Sequence, residues 1–116
     1  MSRILLAIAL LTLLTGCQQS ETKVLLGGIL RPSVNAGPVE DSIIVISSGT
    51  IRAAGLRKDI PVPQDSERTD MTGKWILPGG PEPVAAGQPA NLRIYDEPPG
   101  PNTQPVRAMT LGVWDK

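Results

Sequence analysis

The sequence predicts an all-β protein, a small sandwich of two packed sheets. Three observations carry that expectation. Ile43-Ile44-Val45-Ile46 is a run of four β-branched residues, the strongest strand signal in the chain. Side chains alternate along a strand, so Ile44 and Ile46 share one face while Ile43 and Val45 share the other. Apolar residues on both faces imply a strand covered twice, as in a sandwich or beneath a neighbouring domain. Finally, 12 glycines and 12 prolines cut the 116 residues into short runs, and no segment beyond the amino terminus has an apolar repeat of helical period.

The amino terminus is read separately. A short basic stretch ends at Arg3, and an apolar run follows from Ile4 to Leu14, broken only by Thr12. Eleven residues at 1.5 Å each make about 16 Å of helix, roughly half a hydrocarbon core, which favours a signal peptide over a spanning helix. The run ends in Leu14-Thr15-Gly16-Cys17, which resembles a bacterial lipobox. The expected division is a lipoprotein signal peptide over residues 1–16, a lipidated tether over 17–22 and a folded domain over 23–116. Leu14, Thr15 and Gly16 would be the signal-peptidase recognition residues and Cys17 the lipidation site. The alternative for Cys17 is a free thiol or a small buried side chain. As the only cysteine it can form no intramolecular disulfide. Lipidation places the protein on a bacterial cell membrane without a spanning segment. Gln18 after the cysteine is compatible with an outer membrane, facing the periplasm, if the host is Gram-negative.

Removing residues 1–16 takes away Arg3 and leaves 100 residues with 10 basic and 11 acidic side chains. A net charge near −1 provides no electrostatic footprint for nucleic acid or anionic lipid. With two Trp, one Tyr and no Phe, the core must be built from Val, Ile and Leu, and so small a domain is expected to have modest stability.

Lys23-Val24-Leu25-Leu26 and Ile29-Leu30 read as strand segments, with Gly27-Gly28 between them as a bulge or tight hairpin. Residues 31–39, with two prolines, are a loop. After the Ile43–Ile46 run, Ser47-Ser48-Gly49 is a turn and Thr50 to Gly55 returns as the second arm of a hairpin. Residues 56–66 form a Pro-containing connection. Glu67-Arg68-Thr69-Asp70 reads as an edge strand whose charges discourage pairing with other chains. Thr72-Gly73-Lys74 is a tight turn, because Gly73 can take a positive φ. Trp75-Ile76-Leu77, closed by Pro78-Gly79, is too short for a helix and reads as a strand end. Residues 80–88 are turn-rich, 89–96 a strand, 97–105 a stiff Pro-rich loop and 105–114 a last strand.

The stretch D-x-T-G-K-W-I-L-P-G, Asp70 to Gly79, closely resembles the strand that leads into the catalytic barrel of the metal-dependent amidohydrolases, the superfamily of imidazolonepropionase and adenine deaminase. The Gly27-Gly28 pair, the hairpin around Gly49, the A-x-L-x-I-x-D of Ala90 to Asp96 and the final Val106 to Trp114 resemble further strands of that family's composite sandwich, in the family's order. Asn91 stands where the family has Asp, and Arg93 interrupts an otherwise apolar run. The resemblance covers residues 23–79 and 84–116. It implies a composite β-sandwich whose amino- and carboxy-terminal pieces form one sheet system, with the TIM barrel absent between Gly79 and Val84.

In the family a His-x-His pair follows the Pro-Gly within a few residues and binds the catalytic metal. Here Gly80-Pro81-Glu82-Pro83 follows, and the chain contains no histidine. No catalytic, metal or cofactor-binding residue is therefore expected, and no cofactor. The adjacent carboxylate pairs Glu40-Asp41 and Asp96-Glu97 read as solvated charge. Ser42, Ser47 and Ser48 have no histidine to act as base, and Lys58 and Lys74 lie in polar loops. Trp75 and Trp114 could stack a ligand, but in apolar strand contexts they read as core or interface. The expected function is a lipid-anchored, non-catalytic binding or structural module of the envelope, its membrane partner held through Cys17. A protein partner would cover the former barrel-facing surface near Trp75. The alternative from the enzyme class is the accessory part of a split metal-dependent hydrolase acting on non-peptide carbon–nitrogen bonds. A third reading is a remnant that folds poorly.

Overall fold

The computed structural model describes residues 22–33 and 35–115. The leader and the lipobox residues Leu14, Thr15, Gly16 and Cys17 lie outside them, as does all of the tether except Thr22. The described residues are nearly all strand, turn and loop, with one short 3-10 turn at Arg57–Asp59. They form two mixed sheets packed face to face, the all-β sandwich expected from the sequence.

The first sheet has the order β4-β3-β1-β5 and the second β2-β6-β7-β8-β9. The strands are β1 (Lys23–Leu26), β2 (Ile29–Leu30), β3 (Ser42–Ser47), β4 (Thr50–Leu56), β5 (Glu67–Asp70), β6 (Trp75–Pro78), β7 (Leu92–Tyr95), β8 (Arg107–Thr110) and β9 (Val113–Trp114). β1 runs parallel to β5 in the first sheet, and β2 runs parallel to β6 in the second. The chain therefore crosses from the first sheet to the second twice, side by side, once at Gly27-Gly28 and once at residues 71–74, and returns to the first between β2 and β3. This corrects the reading of Gly27-Gly28 as a bulge or hairpin: the pair is a corner between sheets. The two corners are stitched by Met71 N–H to Leu26 O at 2.7 Å and Ile29 N–H to Lys74 O at 2.8 Å.

Alternation along β1 and β3 builds the core. Leu25 lies opposite Ile44 and both face the second sheet, where they meet Leu30, Ile76, Leu92, Ile94 and Met109. Each such side chain contributes about 1.5–3 kcal/mol when fully buried. The opposite face of β3 carries Ile43 and Val45 beside Val24, packed against Ile60 and Val62. The second cover over β3 is thus the chain's own connection after β4, not a neighbouring domain.

β3 and β4 form the expected hairpin through Ser48 and Gly49, whose φ of 55° and 76° match a type I′ turn. Val45 and Ile46 pair with Ala53 and Ile51, so Arg52 bulges out, exposed. β5 is an edge strand, as its charges suggest. The last segment departs from expectation: it is a second hairpin rather than one strand. Leu111 and Gly112 take φ of 48° and 82°, again a type I′ turn, and fold β9 back onto β8. β7 pairs with β6 in the second sheet, not with the sheet of β3, so the amino- and carboxy-terminal pieces share the second sheet and meet the first across the core.

Candidate functional site

The Asp70–Gly79 stretch occupies the corner between the sheets. Asp70 Oδ1 accepts hydrogen bonds from the Thr72 hydroxyl at 2.6 Å and the Thr72 N–H at 2.9 Å, closing a side-chain turn. The hydroxyl first, and the N–H second, hold the Asp70 carboxyl below its usual range. Met71 then dives into the core and Trp75 begins β6. Asp70, Thr72 and Gly73 thus serve the fold by turning the chain through the corner.

Beyond the corner, Ile76 faces the core while Trp75 and Leu77 alternate to the outward face of the second sheet. Trp75 is half-buried there, in register with Ile29 on one side and Tyr95 on the other. Lys74 and Asp96 pair at the edge of this patch, both partly exposed. Arg93, in register with Leu77, is exposed on the same face, as its position in an apolar run suggests.

At the end of β6 the chain turns straight back into the sandwich. Gly79 N–H donates to Asn91 O at 2.8 Å, so β6 connects to β7 through residues 80–91 without leaving the sandwich. Val84 and Ala90 of that crossing are buried in the core. An open, mostly apolar groove of about 510 Å³ lies beside it, lined by Leu77, Pro78, Pro81 and Pro83 with Ser33 and Glu82. Its polar groups are a hydroxyl and a carboxylate, which offer hydrogen bonds to a ligand but no nucleophile paired with a base.

Among the described residues no three His, Cys, Asp or Glu side chains stand together. Asp41 is paired with Arg57 at 2.8 Å and Asp96 with Lys74, while Glu40 and Glu97 are exposed. The serines are structural: Ser42 is fully buried and its hydroxyl donates to Gly28 O at 2.8 Å, and Ser48 sits in the hairpin turn. Lys58 is exposed on the 3-10 turn. Trp114 packs against the core, with the Arg107 guanidinium 3.8 Å from the centre of its ring.

Two residues carry more than the sequence suggests. Asn91 Oδ1 accepts from Leu111 N–H at 2.8 Å, fixing the β8–β9 turn. That bond needs only an acceptor, so the Asp of the amidohydrolase pattern could make it equally well. Lys23, in sequence simply the first residue of a strand, spans the sandwich: its ammonium donates to Gly112 O at 2.7 Å. Neither bond could be anticipated, because each joins residues distant in sequence.

No family model matches the chain. No curated protein matches it either. Among solved structures, molinate hydrolase is similar at 34% identity and a TM-score of 0.47, over 53% of this chain and 13% of that one. A Bifidobacterium longum protein assigned as a prolidase is similar at 21% identity and a TM-score of 0.47, over 51% of this chain and 15% of that one. Both neighbours bear the names of hydrolases, and the matched part is a small fraction of each.

Proposed function

We propose that the chain is the composite sandwich of an amidohydrolase-type protein without its barrel, tethered to a bacterial membrane by lipid on Cys17 and serving as a non-catalytic binding or structural module. The observation that carries this reading is the junction at Gly79. A strand whose sequence resembles the lead-in to a metal-binding barrel returns through the Gly79–Asn91 hydrogen bond into the sandwich, and no histidine exists to hold a metal. The outward face around Trp75 and the groove beside Pro78 are the surfaces left for a protein partner.

The anchor is tested by growing cells with a clickable fatty acid. The wild-type chain should take up label, and Cys17→Ser should abolish it along with leader removal. Label retained by the variant refutes the assignment. The non-catalytic role is tested on the membrane-extracted protein. Hydrolysis of an amide or cyclic amide that is lost to a chelator and restored by zinc, or a barrel subunit that co-purifies in fixed ratio, overturns it. The latter result would establish the split hydrolase instead.

A further inference from the structure

Four large apolar side chains are markedly exposed among the described residues, and two of them belong to the carboxy-terminal hairpin: Leu111 at 59% and Val113 at 62%, against 54% for Val106, just before β8, and 39% for Leu56. The two most exposed flank Gly112 in the β8–β9 turn. Isolated apolar residues on a surface are ordinary, but here two flank one turn whose backbone is packed against Gly49, so that the side chains rather than the turn itself are left in solvent. Leu111 is also held at a φ of 48°, in the left-handed region that glycine or asparagine adopts with less strain. The hydrogen bonds that fix the turn, Leu111 N–H to Asn91 Oδ1 and Gly112 N–H to Ala90 O, are donated by backbone and do not require a leucine side chain. A strained backbone carrying an exposed apolar side chain points to a role outside the fold.

The position of the turn indicates what it meets. Lys23, the first residue of β1, reaches across to Gly112 O at 2.7 Å, so the chain enters the sandwich beside this tip. Lys23 lies six positions after Cys17. Fully extended, that segment spans about 20 Å, which keeps this end of the domain close to any surface that holds Cys17. From this geometry, and resting on the lipid anchor proposed above, we infer that the Leu111-Gly112-Val113 tip inserts into the interface of the bilayer to which Cys17 is attached. The domain then has two points of attachment, a covalent lipid and an apolar turn, and a fixed orientation. The net charge near −1 makes the second contact apolar rather than electrostatic, so it should not require anionic lipid.

The experiment uses the full lipidated chain in vesicles of zwitterionic phosphatidylcholine. Once Cys17 is acylated the protein has no free thiol, so Leu111→Cys and, separately, Val113→Cys place a single environment-sensitive dye at the tip. Lys58→Cys, on the 3-10 turn, serves as control. Fatty-acid label on the same preparation reports the anchor. The expected result is blue-shifted emission at 111 and 113 that is lost when spin-labelled lipids are included, with water-like emission at 58 that is unaffected. Water-like emission at 111 and 113 on labelled protein overturns the inference while leaving the anchor intact. A blue shift without quenching by lipid also overturns it, since a protein surface then covers the tip. Absence of fatty-acid label overturns the anchor and this inference with it.

Discussion

Replacing Gly79 by alanine tests whether the closed junction is what completes the domain. A Cβ at position 79 would lie 2.9 Å from Leu92 N, 3.0 Å from Asn91 C and 3.2 Å from Leu92 C, all backbone atoms of the segment entering β7. No side chain can swing aside to make room. Either β7 moves away from β6, or the 2.8 Å bond from Gly79 N–H to Asn91 O opens. Overpacking of this kind costs about 1–3 kcal/mol and a lost hydrogen bond about 1 kcal/mol, so a loss of roughly 2–4 kcal/mol is expected. For a domain of this size each 1 kcal/mol moves the melting temperature by about 4–8 °C. The assay is thermal and urea unfolding of the chain from residue 18 onward, followed by circular dichroism and tryptophan emission. Gly37→Ala is the control: its Cβ would meet nothing within 4 Å, so it should be neutral or stabilise by about 0.4–1 kcal/mol. A Gly79→Ala protein within about 0.5 kcal/mol of wild type, the size of an ordinary surface change, would refute the close-approach argument. A wild-type chain with no cooperative transition would establish the poorly folding remnant.

Thr72→Val removes the hydroxyl that does most to hold the Asp70 carboxyl below its usual range. A depressed folded-state pKa gives stability that is present above the unfolded value, about 3.9, and lost as pH falls through the folded value. The variant should therefore show a raised Asp70 pKa by NMR titration and a shallower loss of stability below about pH 4; an unchanged Asp70 titration would remove the hydroxyl from the account. Ser42→Ala deletes a buried donor, but Gly28 O still accepts from Ser42 N–H at 3.0 Å. The loss by urea unfolding should stay near 1 kcal/mol, and a loss above about 3 kcal/mol would mean that the hydroxyl, rather than the backbone, holds the corner.

Local signals are legible where a strand's environment is written in its own residues. Ile43 to Ile46 announce a doubly covered strand, Ser48-Gly49 a hairpin, and Thr72-Gly73 a turn, and all three stand in the structure. What the sequence does not convey is partnership at a distance. Gly27-Gly28 is a corner because the second strand pair crosses beside it 44 residues later at Met71, which no local pattern encodes. The outer cover of β3 comes from Ile60 and Val62, hidden in a segment whose prolines mark it only as a connection. The final hairpin reads as one strand in sequence because Leu111 is among the residues least expected at positive φ.

The candidate site divides along the same line. Within the structure the residues of the Asp70 to Gly79 stretch are engaged in folding: Asp70 and Thr72 close a turn, Met71 and Ile76 fill the core, and Gly79 admits β7. Its role in this structure is to carry the chain between two sheets. The same reasoning applies to Asn91, whose amide oxygen does at the β8–β9 turn what a carboxylate would do. Leu111 differs from these: its N–H helps to fix the turn, but its side chain stays exposed on a backbone held at positive φ, at the end of the sandwich where Lys23 begins β1, and the bilayer contact inferred above is the role to test there.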